Sequence, residues 1–253
     1  MKRIPKLQVA VWVLAAVPVL LALAFYPRLP ASIPMQWDFG GEVGYEPKWH
    51  LFLVAALAPL LAVLFPALPK IDPRRKNYDR FAPSYLLFQL MMVLFICLMV
   101  GIVLIESLRP GTVSVGRTVC LFLGILFAVL GNMMPKFRQN YFCGIKTPWT
   151  YADETVWVRT HRLAGRLFFA AGLLGIVSAF LTNEIAMAVL FFVPLLIAVI
   201  LPVVMSYVWY RRRHPEACAR LPICLLPSSA PPVSCRRAFL APGYLFGHLA
   251  KYS

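Results

Sequence analysis

Two stretches of the 253-residue chain hold side chains whose types and spacing could do chemistry. The first is residues 27–48, where Asp38, Glu42 and Glu46 stand among Trp37, Phe39 and Tyr45. Carboxylates this close together could hold a cation, or meet a basic peptide whose apolar side rests on the rings. Equally, they could be solvated acids on a folded cap. Gly40, Gly41 and Gly44 are turn residues and fit a compact loop under each reading. The second stretch is Gly131–Gly165. Here Asn140, Gly144, Lys146, Thr147, Pro148, Trp149 and Thr150 lead into Trp157, Thr160, His161 and Arg162 at helical spacing. His161 has the chemistry of a metal ligand or general base, but no His or Cys stands at ligand spacing from it, and metal sites need several converging ligands. An interfacial hydrogen-bonding role suits it better. No nucleophile–base pair or Gly-rich phosphate loop is visible, so the expectation is no catalytic residue, no metal, no cofactor and no enzyme.

The second stretch needs a turn followed by a helix. Pro148 biases Thr147 towards an extended backbone. Thr150 is a good N-cap residue, and Asp153 and Glu154 would put negative charge in the first turn, where the helix dipole favours it. The spacing predicts a helix from near Tyr151 that runs on into the next apolar segment. Trp157 and His161 are four apart and share a face. Arg162 and Arg166 repeat that spacing on a neighbouring face, where they could touch lipid headgroups or an acidic partner.

The frame around both stretches is apolar. With 60% hydrophobic and 14% charged residues, the chain lies outside the usual composition of soluble domains, and a mean hydropathy of +0.74 reads as a polytopic membrane protein. Crossing a bilayer takes roughly 20 apolar residues. Segments of that length run approximately over Leu7–Tyr26, Trp49–Leu68, Ser84–Ile105, Thr118–Met134, Leu163–Thr182 and Ile185–Tyr210. The fold class expected is therefore all-α, a polytopic bundle of six transmembrane helices. The first segment is too long for the apolar core of a signal peptide and is kept as a membrane helix. Pro18, Pro59, Pro66, Pro194 and Pro202 lie inside segments, so neighbouring helices must satisfy the carbonyls they free. Gly124, Ala128 and Gly131 form one candidate packing seam, and Ala171, Gly175 and Ala179 another.

A net charge of +15 could suggest nucleic acid, but the basic residues flank apolar segments, and no direct nucleic-acid binding is expected. Lys and Arg concentrate at the N-terminus, in 70–80, in 136–166 and in the tail. The alternate connectors carry only Arg28, Lys48, Arg109 and Arg117. That asymmetry predicts an N-in, C-in, multi-pass protein of the cell membrane. The cysteines fall in apolar segments or cytosolic regions, so no structural disulfide is expected. The layout is 1–69, an N-terminal membrane part with its outer loop; 70–213, a second membrane part with a cytosolic loop at 135–162; and 214–253, a Pro-rich tail expected to be disordered. No ionisable side chain lies near the middle of a segment, which weakens ion-coupled transport. A small-solute or lipid transporter or channel stays open as the alternative function.

The run Gly131-Asn132, Pro135, Asn140-Tyr141-Phe142, Gly144 through Thr150, Val156-Trp157, Thr160-His161-Arg162 and Gly165 resembles the SdpI family of bacterial membrane proteins. Lys146 stands where that family usually has Arg. A second block, Leu29-Pro30, Ile33-Pro34, Trp37, Gly40, Gly44-Tyr45 and Lys48, looks like the family's N-terminal domain. The resemblance implies immunity to a membrane-active peptide toxin, coupled to signalling in which a cytosolic transcriptional repressor is recruited to the membrane. The implied partners are the lipid bilayer, a secreted peptide toxin at the loop of Trp37, Asp38, Glu42 and Glu46, and the repressor at the Asn140–Arg162 surface.

Overall fold

Apolar runs set most of the architecture. A computed structural model describes residues 5–38 and 42–215, and every element discussed lies in the compact unit Met1–Arg213. The expected turn at Gly40–Gly41 and the expected disordered tail from 216 onward lie outside the described residues. The chain runs α1 (Pro5–Phe25), β1 (Ser32–Trp37), β2 (Val43–Pro47), α2 (His50–Ile71), α3 (Ala82–Leu108), α4 (Val115–Met133), α5 (Pro148–Ala152), α6 (Glu154–Ser178) and α7 (Glu184–Arg213). It is an all-α bundle to which one hairpin is added.

Helices α1, α2, α3, α4 and α7 are long and apolar enough to cross a membrane. Helix α6, the fifth predicted segment, is not among them, because Arg159, Arg162 and Arg166 punctuate its first half. Its packing explains how a less apolar helix fits. It runs antiparallel along α4 with glycine against glycine. A Cβ on Gly131 would overlap the backbone N of Phe169, one on Gly172 that of Ala128, and one on Gly124 would stand 2.6 Å from the backbone N of Ile176. Small residues let the two backbones touch. The predicted seam of Gly124, Ala128 and Gly131 is thus met by Gly165, Gly172 and Gly175, while Ala171 and Ala179 are buried beside it.

Three prolines show why particular polar side chains sit in the apolar layer. Proline lacks the N–H that would bond the carbonyl four residues earlier. The Leu14 carbonyl, freed by Pro18, receives the Cys97 thiol at 3.7 Å. The Ala62 carbonyl, freed by Pro66, receives both Gln89 Nε2 at 3.2 Å and Trp12 Nε1 at 3.1 Å. The Phe65 carbonyl, freed by Pro69, receives the Tyr85 hydroxyl at 2.7 Å. These bonds tie α1, α2 and α3 together. Tyr85→Phe leaves the Phe65 carbonyl without that donor, and thermal unfolding in detergent is expected to show a loss of about 1–2 kcal/mol.

The segment read as a compact loop is an antiparallel hairpin, irregular between Pro34 and Gln36. Ile33 and Pro34 are buried beneath it. Lys48 closes its base, reaching the carbonyls of Tyr26 at 3.5 Å and Leu29 at 3.4 Å with its ammonium over the Tyr26 ring.

Candidate functional site

At the basic end of the bundle, the turn before α6 is built differently from the single helix expected near Tyr151. Thr147, not Thr150, is the N-cap. Its hydroxyl accepts from the Thr150 N–H while the Thr150 hydroxyl accepts from the Thr147 N–H, a reciprocal capping box. Pro148 occupies the first turn of the short α5, a position that needs no N–H. Asp153 then returns to extended backbone and caps α6 itself, accepting from Thr155 N at 2.7 Å and Val156 N at 3.3 Å. The predicted helix start is therefore split in two, because each of Thr147 and Asp153 is a competent cap.

His161 lies at the centre of this end and is fully buried. Its Nε2 accepts the Ile145 N–H at 3.0 Å, and its Nδ1 faces the Trp157 carbonyl at 2.8 Å. One nitrogen must accept and the other must donate, so the ring is the neutral tautomer with its proton on Nδ1. Burial pushes its pKa down to about 4, against the smaller opposing effect of the Trp157 carbonyl. Both nitrogens are used on backbone, which removes His161 as a metal ligand or base. The Trp157 ring stacks on it at 4.1 Å and donates to the Phe137 carbonyl at 2.9 Å. Gly144 passes over the imidazole with φ at +102°, and a Cβ there would overlap Nε2. Gly144, Trp157 and His161 are thus one packing unit.

Asn140, also fully buried, organises the preceding loop. Its Oδ1 accepts from Phe142 N at 3.0 Å and Cys143 N at 2.6 Å, and its Nδ2 donates to the Arg138 carbonyl at 2.8 Å. The Tyr78 hydroxyl reaches the same Oδ1 at 3.3 Å and donates to Asp72 Oδ2 at 2.8 Å. Asp72, 2% exposed, also accepts from Tyr141 N and Arg74 N, at 2.8 and 2.7 Å. Burial and the neighbouring Asp72 carboxylate raise the Tyr78 hydroxyl well above the usual phenol range. Cys143, buried beside them, has its thiol pushed up to about 11 by burial, with Lys146 opposing.

The remaining predicted residues split between scaffold and surface. Thr150 is buried, and Thr147 reaches Ser206 of α7 at 3.1 Å. Trp149 packs on Tyr207 at 5.1 Å. Thr160 is buried, and its hydroxyl has no partner among the described residues. Pro148, Lys146 and Arg162 are exposed, and Lys146 donates to the Tyr141 and Phe142 carbonyls at 3.1 and 3.3 Å. Sequence reasoning missed Asp72, Tyr78, Gln139 and Arg74. Arg74 donates to Gln139 Oε1 at 2.7 Å and lies over the stacked rings of Tyr141 and Tyr151. The available signal was Asp72-Pro73, an acid ending an apolar run at the start of a connector rich in Lys and Arg.

At the opposite end, a cleft of about 310 Å³ lies between the hairpin, the α3–α4 turn and the start of α7. Trp37, Asp38, Val43 and Tyr45 line it from the hairpin, and Glu106, Arg117, Glu184 and Met187 from the helices. Glu106 is buried because it holds the α3–α4 turn, accepting from Gly111 N at 2.8 Å and Val113 N at 2.7 Å. Asp38 Oδ1 accepts the Glu42 N–H at 2.8 Å. Of the four predicted outer residues, Trp37 and Asp38 line the cleft. Glu42 and Glu46 do not, and Glu46 lies 3.4 Å from His50 Nδ1.

Residues 136–206, the span holding the Asn140 loop, the capping box and the Trp157–His161 stack, match the SdpI/YfhL protein family. Residues 13–59, from α1 through the hairpin into α2, match a domain of unknown function, DUF1648. In these residues the chain is similar to the SdpI family. The Immunity protein SdpI of Bacillus subtilis (strain 168) is 28% identical over 193 residues, which is 76% of this chain and 90% of that protein. No solved structure matches. With several membrane-length apolar helices and this likeness to an integral membrane family, it is a multi-pass membrane protein. Asp72 and Tyr78 fall between the two matched ranges, yet they join α2 to the SdpI-family loop.

Proposed function

We propose that this SdpI-like protein is an immunity protein of the cell membrane that intercepts a membrane-active, cationic peptide at its hairpin cleft. The observation that carries the reading is the cleft itself. It combines aromatic walls at Trp37 and Tyr45 with carboxylates at Asp38, Glu106 and Glu184 that outnumber Arg117, a net acidic composition suited to an amphipathic basic ligand. The relative named as an immunity protein supports it. In this reading the bundle is N-in and C-in with six crossings, the cleft faces outward, and no enzymatic step is involved. The opposite end then faces the cytosol. There Tyr141, Phe142 and Lys146 form the exposed surface to which a transcriptional repressor is recruited, held in shape by the buried Asn140, Trp157 and His161.

The test is survival of a sensitive host expressing the full chain when challenged with secreted membrane-active peptides from related bacteria. The parent chain is expected to protect, and Trp37→Ala combined with Asp38→Asn to lose at least tenfold of that protection at equal membrane abundance, a loss worth about 1.4 kcal/mol of peptide binding. Absence of protection by the parent across the peptide panel overturns the immunity reading. Full protection by the double variant overturns the cleft as its site.

A further inference from the structure

Helix α6 carries three exposed arginines, Arg159, Arg162 and Arg166. At 100° per residue they fall within an arc of roughly 60°, and at 1.5 Å per residue they climb about 10 Å along the axis. No ion pair or hydrogen bond joins any of them to another described residue. Their depth follows from the packing of α6 on α4. Gly165, the residue before Arg166, lies against Gly131 and Pro135, at the end of a helix that is apolar enough to cross the membrane. The row therefore starts beyond the apolar layer and ends at its edge. On the same side of α6 the exposed residues continue as Phe169, Leu173 and Val177, which are large and apolar. Guanidinium groups above an apolar strip match a molecule with an anionic head and a hydrocarbon chain. An unpaired arginine turned towards lipid needs an anion to offset its desolvation, and it matches phosphate oxygens with a bidentate fork.

We propose that this face of α6 binds an anionic glycerophospholipid, with its headgroup phosphate on Arg159, Arg162 and Arg166 and an acyl chain along Phe169, Leu173 and Val177. The inference is independent of the peptide cleft at the other end of the bundle. It also accounts for α6 carrying arginines in its first half where α4 and α7, which pack on it, are apolar.

The experiment uses the full chain in nanodiscs of phosphatidylcholine with and without phosphatidylglycerol, read by the fraction of a spin-labelled phosphatidylglycerol immobilised at the protein. The parent is expected to immobilise the anionic lipid at least fivefold more strongly than the spin-labelled zwitterionic lipid. Arg159→Gln, Arg162→Gln and Arg166→Gln together are expected to abolish that preference. Arg211→Gln with Arg212→Gln, at the end of α7, is expected to keep it. Inorganic phosphate is expected not to displace the lipid; displacement would assign the site to free phosphate and overturn the proposal. An unchanged preference in the triple variant, or a change in oligomeric state in place of lipid preference, would overturn it too. Should the triple variant unfold, the single Arg162→Gln and Arg166→Gln variants must each reduce the preference.

Discussion

Gly144→Ala is expected to lower the stability of the protein by about 3 kcal/mol, from left-handed backbone strain and a disrupted buried hydrogen bond. The backbone at Gly144 has φ at +102°, where a side chain is strained whatever the space. The added methyl would also fall on His161 Nε2, the atom that accepts the Ile145 N–H. Relief by turning the imidazole breaks that bond, the Nδ1 contact with Trp157 and the stack on its ring. The neighbour that reports the damage is Cys143. It is buried and its thiol is held up near 11, so it alkylates slowly while the loop is closed. Thermal unfolding and site-resolved alkylation of Cys143 measure the two consequences together. Adding His161→Ala to Gly144→Ala removes the overlap but also the Ile145 bond and the Trp157 stack, so no recovery is expected, and the two single losses should sum to more than the loss in the double variant. A Gly144→Ala protein that melts with the parent and leaves Cys143 protected would sink the account of Gly144 and His161 as one unit.

Periodicity and hydropathy made the long helices legible, because membrane segments must satisfy their backbone internally and must be apolar where lipid surrounds them. The same rule reads α6 least clearly, because three arginines interrupt its first half. That helix is shielded by the glycine contact with α4, and its arginines lie on the side turned away from it. Caps were legible as residue types but not as choices. Thr147, Thr150 and Asp153 all qualify, and only the fold shows that Thr147 and Asp153 each start a helix. The outer loop read as turns because its glycines dominate. Its strands are short, and Pro34 and Pro47 within them weaken the strand signal. The buried polar residues Gln89 and Tyr85 were illegible for a different reason. Their partners are carbonyls freed by prolines on another helix, so the need is written at Pro66 and Pro69 and the answer on α3. Of the predicted functional residues, Asn140, Thr147, Thr150, Trp157, Thr160 and His161 are buried. A run rich in distinctive residues points to a shaped loop without saying which of its side chains face outward.

Asp72 is where that limit matters most, and Asp72→Ala is expected to destabilise the protein by about 2–4 kcal/mol, because buried N–H donors lose a charged acceptor. The carboxylate receives the Tyr78 hydroxyl, the Tyr141 N–H and the Arg74 N–H. Truncation leaves both N–H donors unanswered, and the Tyr78 hydroxyl with only the longer contact to Asn140, in a site that is 2% exposed in the parent. The donors come from the α2–α3 connector and from the Asn140 loop, so the loss falls on the joint between the DUF1648 part and the SdpI-family part. Asp72→Asn keeps the shape but trades one acceptor oxygen for an NH₂ group facing donors, and is expected to cost about 1–3 kcal/mol. Tyr78→Phe removes only the hydroxyl shared between Asp72 and Asn140, and is expected to cost about 1 kcal/mol. The order Asp72→Ala, Asp72→Asn, Tyr78→Phe, from largest loss to smallest, distinguishes a shared acceptor from simple filling of space. If Asp72 merely fills space, the isosteric Asn would match the parent. Unfolding in detergent provides the order, and limited proteolysis between residues 72 and 141 shows whether the joint opens first. Equal stability for the parent and Asp72→Ala would mean that the SdpI-family loop is held by its own Asn140 and His161 contacts alone.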